Sequence, residues 1–257
     1  MAILSKNQIG KKIFLATTAI IVLASSAINL WDNRHRISHF MLGGSEEYSE
    51  YYHNQLDTLW ANEILKGGYI LHFRHAEREK WIDVTMYDAL ESDLHNRGVD
   101  ESRYAEDDYF SKAVCLNSRG KIQARAMGEH LKNINLPIGP VVSSVSCRAR
   151  QTAELAFDGY DTLHRLLVHT GPYNERRSDR LAELIDFYND LPLEPNKNTI
   201  VSAHNSVVLC QMFENCKDKS LKLEEGGFFV ISKREDGLHL EHEFHNYNDF
   251  NRVFYLR

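Results

Sequence analysis

Short apolar runs alternate along the chain with longer segments in which apolar residues recur at helical spacing. Runs of this length predict buried strands, and recurrence at every third or fourth position predicts helices with one apolar face. The predicted strands are residues 69–74, 139–144, 199–203, 226–232 and 239–244. The predicted helices are residues 46–66, 118–133, 148–157 and 179–190. This alternation indicates an α/β fold, with a sheet covered by helices on both faces in a three-layer α/β/α sandwich.

Residues that can bind an anion follow three of these strands. Arg74 and His75 lie at the end of the first strand, Arg148 follows the second, and His204 follows the third. In open α/β sheets, ligands bind at the carboxyl ends of the strands. We therefore expect these four side chains to lie close together.

The amino-terminal part of the chain has a different pattern. Lys6, Lys11 and Lys12 precede an apolar segment, residues 13–31, which is about long enough to cross a ~30 Å hydrocarbon layer. We interpret residues 1–12 as a basic cytoplasmic tip, and the apolar segment as a transmembrane anchor or a signal segment that is removed. Either interpretation predicts that the rest of the chain lies outside the cytoplasm.

Composition and charge limit the possible partners. The chain is 43% apolar and 26% charged, an ordinary balance for a globular protein. A net charge of −6 argues against nucleic acid as the partner, because duplex binding usually requires a basic surplus. Much of the acidity lies in residues 79–108, which carry ten Asp or Glu against three Lys or Arg. We interpret this segment as a solvated insertion, or as a lid that prefers substrates with a cationic or sugar portion.

Four cysteines are consistent with an extracytoplasmic location. Cys210 and Cys216 are close enough in sequence to close a small loop, and Cys115 and Cys147 flank segments that we expect to converge. Two disulfides are therefore one hypothesis, although four cysteines allow three pairings. The sequence has no CxxC and no metal-ligand spacing, so we expect neither a metal nor a cofactor.

The expected cluster has the groups that phosphoryl transfer requires. Arg74 and Arg148 are assigned to phosphate binding, because a planar guanidinium contacts two phosphate oxygens and stays charged. A neutral imidazole can attack phosphorus and form a phosphohistidine, which is the role assigned to His75. His204 would lie beside the phosphate and donate hydrogen bonds to it. The sequence thus predicts a phosphate-ester enzyme.

With these residues in view, the chain resembles the histidine phosphatase superfamily, which has the phosphoglycerate mutase-like fold. The resemblance covers roughly residues 67–245. Its most specific parts are Arg74-His75-Ala76-Glu77 and Arg148-Ala149-Arg150-Gln151-Thr152, supported by residues 116–120 and Ala203-His204.

The resemblance implies a phosphate pocket formed by His75, Arg74, Arg148 and His204, in which His75 is phosphorylated. The opening motif and the apolar leader are also similar to those of the periplasmic lipopolysaccharide core heptose phosphate phosphatases.

Two departures from the family pattern bear on the chemistry. Asn205 stands where the acid-phosphatase and phytase branch has an Asp as proton donor, so the proton must come from another residue. Glu175 lies about where the mutase-like branch supplies a glutamate, and Glu77 is the alternative donor. The acidic insertion displaces the short substrate loop of sugar-phosphate mutases, which argues against mutase activity. The residues expected to contact the substrate are Arg74, Arg148, His204, Glu77 and Asn205.

The predicted segments are residues 1–12, 13–31, a linker and helix at 32–66, and a histidine phosphatase catalytic domain at 67–257 with an acidic insertion at 79–114. The expected activity is that of a metal-independent phosphomonoesterase acting through a phosphohistidine on a small-molecule or lipid-linked phosphate ester. The alternatives are a catalytically weak or inactive phospho-ligand binding protein, and a phosphomutase. The expected location is a single-pass inner (cytoplasmic) membrane protein with its catalytic domain outside the cytoplasm, or a secreted or periplasmic protein after signal cleavage.

Overall fold

The computed structural model of the protein describes residues 46–79, 114–168, 177–217 and 219–255. The chain forms two compact units, residues 1–53 and 54–257, and the sheet belongs to the second. Among the described residues, no helix combines the length and apolar character needed to cross a membrane. The segment predicted as an anchor or signal, residues 13–31, lies outside the described residues, as does most of the acidic insertion.

Helices and strands alternate through most of the described chain. The helices are α1 (Glu46–Ile64), α2 (Ser118–Asn133), α3 (Cys147–Ala156), α4 (Arg177–Asp190) and α5 (Tyr247–Tyr255). The strands are β1 (Ile70–Arg74), β2 (Ile138–Ser144), β3 (Thr162–His164), β4 (Asn198–Ala203), β5 (Phe228–Arg234) and β6 (Gly237–Phe244). Short 3₁₀ turns cover Arg165–Leu167 and Cys210–Met212.

The described strands form one mixed sheet in the order β3-β2-β4-β1-β5-β6. Strands β3, β2, β4 and β1 run parallel, whereas β5 is antiparallel to both β1 and β6. The carboxyl ends of β1, β4 and β2 therefore meet at one edge of the sheet, which is the edge where the sequence predicts the site.

Successive side chains on each strand point to opposite faces of the sheet, and both faces are buried. On β1, Leu71 and Phe73 face a core that α1, α2, α3 and α5 complete. Ile70 faces the opposite core, which contains Leu184 and Tyr188 of α4. Helices thus cover both faces, as the sequence predicts.

The start of β1 depends on a glycine turn. Gly67 has a φ of 77°, and a Cβ there would lie 2.2 Å from the carbonyl carbon of Asn196. Only glycine combines this backbone conformation with so close an approach. The next residue, Gly68, donates its N–H to the carbonyl of Lys197 at 2.8 Å. The turn therefore ends α1 and starts β1 beside β4.

The five strands predicted from sequence are all present, with ends that agree within two residues. The predicted helices at 118–133, 148–157 and 179–190 correspond to α2, α3 and α4. Two elements were not predicted. Strand β3 has only three residues, two of them exposed, and α5 contains several polar residues within nine.

Candidate active site

His75 and His204 lie side by side at the carboxyl ends of neighbouring parallel strands. His75 follows β1 and His204 follows β4, and the backbone N–H of His75 donates to the carbonyl of Ala203 at 3.0 Å. The two imidazole centroids are 5.2 Å apart, and both side chains are buried. Strand pairing therefore brings together two histidines that are far apart in the sequence.

The orientation of the His75 ring is fixed by its own backbone neighbour. Nδ1 lies 2.7 Å from the carbonyl oxygen of Ala76, and a carbonyl only accepts, so Nδ1 carries the proton and donates it. Nε2 is then left with a lone pair. Burial lowers the pKa of His75 well below its usual 6.5, and the positive charges of Arg148 and Arg74 lower it further. His75 is therefore a neutral imidazole with a nucleophilic Nε2.

Thr152 connects the backbone beside His75 to the helix that carries Arg148. Its Oγ1 accepts the N–H of Ala76 at 3.0 Å and donates to the carbonyl of Arg148, one turn earlier in α3, at 2.8 Å. The sequence places Thr152 in a motif but does not reveal this contact. The buried Thr152 hydroxyl thus joins Ala76, whose carbonyl accepts the His75 proton, to the first turn of α3.

Arg148 and two serines surround the imidazole of His204. Nη2 of Arg148 lies 3.3 Å from Nδ1, and a guanidinium only donates, so Nδ1 accepts. The proton is then on Nε2, which lies 3.2 Å from Oγ of Ser144 and 3.1 Å from Oγ of Ser146. Ser146 is the N-cap residue of α3, but its hydroxyl contacts His204 instead of capping the helix. Neither serine was predicted from the sequence as a site residue.

The backbone of His204 is held by a buried histidine. Nε2 of His72 lies 3.1 Å from the carbonyl oxygen of His204, and Nδ1 lies 2.6 Å from the hydroxyl of Tyr188. Burial lowers the pKa of His72 to about 4, so the ring is neutral, donates from Nε2 and accepts the tyrosine proton at Nδ1. His72 is therefore buried against Tyr188 of α4, where it supports the backbone of His204.

The two arginines assigned to phosphate binding both lie at this edge. Arg148 is fully buried, and its Nη1 donates to the carbonyl of Val114 at 3.4 Å. Arg74 is partly buried, with Nη1 donating to the carbonyl of Leu223 at 2.5 Å and Nη2 lying 3.3 Å from Glu225. Burial lowers the pKa of Arg74, and Arg148 adds to this effect while Glu225 opposes it. The buried positive charges of these residues favour binding of an anion.

The loop before β5, residues 222–227, forms a wall beside Arg74. Leu223, in this loop, is held through its backbone. Its N–H donates to Oδ1 of Asn205 at 2.5 Å, and its carbonyl accepts from Nη1 of Arg74. A cavity of about 600 Å³ lies between this loop and Arg74, and Glu77, Gln123 and Lys222 also line it. Asn205, predicted to bind substrate, therefore supports a loop that borders the cavity.

Glu77 is held by two residues near the start of α2. Its carboxylate accepts from Nδ2 of Asn117 at 2.9 Å and from Nη2 of Arg119 at 2.6 Å. A Cβ on Gly120 would lie 2.0 Å from the carbonyl oxygen of Glu77, so only glycine allows α2 to approach this closely. These contacts stabilise the ionised carboxylate. Glu175, the other predicted proton donor, lies outside the described residues.

The cysteines of the chain form two disulfides. Cys115 is bonded to Cys147 and Cys210 to Cys216, which confirms the pairing that the sequence offered as one of three. Among the described residues, there is no group of three or more His, Cys, Asp or Glu that could hold a metal ion.

Residues 110–168 match the family model described as "Histidine phosphatase superfamily (branch 1)". The matched segment includes residues 116–120 and Arg148, and the superfamily is the one predicted from the motifs. No curated protein matches the chain.

Several solved structures are similar to the chain at low sequence identity. The protein histidine phosphatase SixA complexed with tungstate is 16% identical, with a TM-score of 0.44, and the match covers 70% of this chain and 98% of that one. A protein from Thermus thermophilus is also 16% identical, with a TM-score of 0.42 and coverages of 68% and 98%. The alpha-ribazole phosphatase from Shigella flexneri is 13% identical, with a TM-score of 0.43 and coverages of 69% and 96%.

Proposed function

We propose that this chain is a phosphatase of the histidine phosphatase superfamily, a metal-independent phosphomonoesterase that forms a phosphohistidine at Nε2 of His75. The observation that carries the proposal is the fixed tautomer of His75. Its Nδ1 proton is held by the carbonyl of Ala76, so that the lone pair is on Nε2 in a pocket with two arginines.

In the first step, Nε2 of His75 attacks phosphorus, an N–P bond forms and the bond from phosphorus to the ester oxygen breaks. Arg74 and Arg148 neutralise charge on the equatorial oxygens as it develops. The departing alkoxide takes up a proton and leaves as an alcohol. In the second step, water attacks the phosphohistidine, releases inorganic phosphate and returns His75 to its neutral form.

The proton donor we assign is Glu175. The contacts of Glu77 with Asn117 and Arg119 favour its ionised form, which makes it a poor acid. Glu175→Gln is expected to slow hydrolysis of alkyl phosphates much more than hydrolysis of p-nitrophenyl phosphate, whose leaving group needs no proton. If Glu77→Gln shows this selective loss instead, the assignment moves to Glu77.

The alcohol portion of the substrate is assigned to the cavity between Arg74 and the 222–227 loop. The cavity borders the phosphate-binding arginine and holds both acidic and basic side chains, which suits a polar ester. We propose that the substrate is a small-molecule or lipid-linked phosphate ester, with the heptose phosphates of lipopolysaccharide core as one class to test. The resemblance of the opening motif is what supports that class.

We propose further that the domain acts outside the cytoplasm, as a membrane-anchored or processed protein. The two disulfides support this location, because such bonds persist in oxidising compartments. In cells that express the full chain, protease added outside the cytoplasmic membrane should digest the domain. Protection until that membrane is broken would contradict the proposal.

The activity is tested by hydrolysis of a panel of phosphomonoesters, with wild type and His75→Ala compared with and without a chelator. We expect turnover that resists the chelator and is lost in the variant. Folded protein that binds inorganic phosphate without turnover would indicate the phospho-ligand binding alternative. Transfer to a sugar phosphate faster than to water would indicate a mutase.

A further inference from the structure

The Cys115–Cys147 disulfide lies next to the phosphate-binding arginine in the sequence and in space. Cys147 is the first residue of α3, and Arg148 is the second. The bond joins this position to Cys115, in a segment of residues 114–117 that has its own contacts with the site, and the two Cα atoms are 4.8 Å apart. The disulfide therefore fixes the end of α3 from which the Arg148 side chain extends.

Two hydrogen bonds join the 114–117 segment to the same turn of α3. The carbonyl of Val114 accepts from Nη1 of Arg148 at 3.4 Å, and the N–H of Leu116 donates to Oε1 of Gln151 at 2.9 Å. The covalent bond lies between them, at Cys115. The first of these hydrogen bonds holds the Arg148 guanidinium itself. Its acceptor, Val114, is the residue directly before Cys115.

The other side of the 114–117 segment contacts the loop that follows His75. Asn117 donates its backbone N–H to the carbonyl of Glu77 at 3.2 Å and its side-chain Nδ2 to the Glu77 carboxylate. Leu116 packs with Ala76, whose carbonyl accepts the His75 proton. The segment is therefore held between the nucleophile's loop and the helix of Arg148.

We propose that Cys115 and Cys147 are positioning residues for Arg148, and that the phosphatase works at full rate only when their disulfide is formed. The proposal rests on the phosphatase function given above. Without the bond, Val114 is no longer fixed beside the guanidinium, and Arg148 can leave the geometry required to bind the transferring phosphoryl group. Transition-state stabilisation depends on such positioning, so the loss should affect kcat more than KM.

The second disulfide is a matched control within the same chain. Cys210–Cys216 closes a loop that contains a 3₁₀ turn, and that loop is joined to β6 because Glu214 donates its N–H to the carbonyl of Leu238. Cys216 is partly buried and packs against the core cluster on the α4 face of the sheet. Removing this bond tests the general cost of losing a disulfide.

The first experiment compares the full chain with Cys115→Ala/Cys147→Ala and Cys210→Ala/Cys216→Ala, each with and without Arg148→Ala. Alanine avoids placing a buried hydroxyl at Cys147. We expect loss of Cys115–Cys147 to lower kcat by roughly ten- to a hundredfold and to weaken inhibition by inorganic phosphate. The control pair should change kcat by less than about twofold. In the Arg148→Ala background, loss of Cys115–Cys147 should cost little more, because the two changes remove the same interaction.

Reduction of the folded protein provides a second test, which does not depend on folding of the variant. Dithiothreitol passes two electrons and two protons to the disulfide, closes to its cyclic disulfide and leaves two thiols, which are then alkylated and located by mass spectrometry. Activity should fall in proportion to thiol release at Cys115 and Cys147. Full activity in protein reduced at these positions would overturn the proposal, and so would equal losses from the two cysteine pairs or additive losses with Arg148→Ala.

Failure of the phosphatase function itself would give a different result. Wild type that shows no turnover would contradict that function alone, and affinity for inorganic phosphate then becomes the measurement. Loss of Cys115–Cys147 should weaken phosphate binding, whereas loss of Cys210–Cys216 should not. Equal affinities in all three proteins would reject the positioning role.

Discussion

At the scale of single residues, the site keeps one imidazole neutral beside two guanidinium groups. His75 is buried, and each arginine opposes another positive charge, so both effects lower its pKa. The carbonyl of Ala76 holds its remaining proton on Nδ1. As the proposed nucleophile, His75 therefore needs no separate base to remove a proton before it attacks phosphorus.

The lowered pKa of His75 predicts activity that persists into acid. Free imidazole is protonated below about pH 6.5, but His75 should remain neutral there, so the acid limb of kcat/KM should lie below this value. The profile is measured after correction for ionisation of the substrate phosphate. An acid limb at the usual histidine value would contradict the assignment.

The same shift has a consequence for stability, with a definite sign. Below about pH 6.5 the unfolded chain binds a proton that the folded chain does not, so neutral His75 contributes stability that is complete above that pH. His72, with a pKa of about 4, acts in the same direction. The free energy of unfolding should therefore fall as the pH drops from about 6.5 toward the lower folded values, which urea titrations at several pH values would show.

Thr152 is expected to matter for both stability and rate, because it contacts Ala76 and Arg148 through one hydroxyl. Thr152→Val leaves the buried N–H of Ala76 without an acceptor, which costs about 1–3 kcal/mol. It should also lower kcat, since the carbonyl that orients His75 belongs to Ala76. Thr152→Ser keeps the hydroxyl and should retain most activity; equal losses in the two variants would contradict this role.

Residue identities at the site were partly predictable from the sequence. Arg74 ends β1, and His75 and His204 follow β1 and β4, which the sequence shows as apolar runs; the pairing of these two strands, which the structure shows, brings the residues together. The contact of Thr152 with Ala76, after β1, and those of Ser144 and Ser146 with His204, after β4, depend on tertiary packing, and no spacing in the sequence reveals them. The roles of Asn205 and Glu77 in binding substrate remain predictions.

At the scale of elements, close packing of α2 brings its amino end against the loop after β1. Asn117 caps α2 by accepting the N–H of Gly120 at 2.7 Å, and the same side chain donates to Glu77. The absence of a side chain at Gly120 makes room for the Glu77 carbonyl. The position and the capping of α2 therefore both depend on Glu77, in the loop that follows His75.

Gly120→Ala is expected to force α2 away from Glu77 and to destabilise the protein. A Cβ 2.0 Å from a backbone oxygen cannot be accommodated without movement of the backbone, and overpacking of this kind costs roughly 1–3 kcal/mol. Gly139→Ala, on β2, is the control, because a Cβ there would lie 3.2 Å from the Cβ of Lys197 and 3.3 Å from the carbonyl oxygen of Asn198, contacts that need a shift of only a few tenths of an ångström. Urea unfolding of both variants measures the difference, and equal stabilities would contradict the packing argument.

The two elements that were not predicted differ in their cause. Strand β3 has three residues and pairs with β2 at the edge of the described sheet, so it needs no apolar run. Helix α5 does carry a helical pattern, because Phe250 is buried and Tyr247 and Phe254, three residues before it and four after it, pack against the same core. The short edge strand leaves little trace along the chain, whereas the apolar spacing of α5 is present in the sequence but was not predicted as a helix.

At the scale of the whole molecule, the two disulfides constrain the unfolded chain to different degrees. They join residues separated by 32 and by 6 positions. On loop entropy alone, their removal should cost about 4 and about 2 kcal/mol, respectively. Unfolding of the two cysteine-pair variants in urea measures these costs, and a larger loss for Cys210–Cys216 would contradict the entropic account.

The three-layer architecture was predictable because burial on both faces of the sheet leaves a clear apolar pattern. The substrate was not, because the cavity that we assign to it is bounded by the 222–227 loop, whose conformation depends on contacts with Arg74 and Asn205. The assignment of Glu175 as proton donor remains a prediction, because this residue lies outside the described residues. The role of the acidic insertion also remains a prediction, because most of its residues lie outside them. Sequence pattern thus predicts where the anion-binding side chains lie, whereas the reaction and the substrate stay predictions.

The way the 222–227 loop is attached has an evolutionary consequence. Because β5 runs antiparallel to β1, the segment that enters β5 arrives at the edge where β1 ends. Leu223 is anchored there by its own peptide groups, one bound to Arg74 and the other to Asn205. Substitution at position 222, which lines the cavity, should therefore leave the loop in place. If the chain is the phosphatase proposed above, a lineage built on this scaffold can acquire new substrates by drift at this position while it keeps the same reaction.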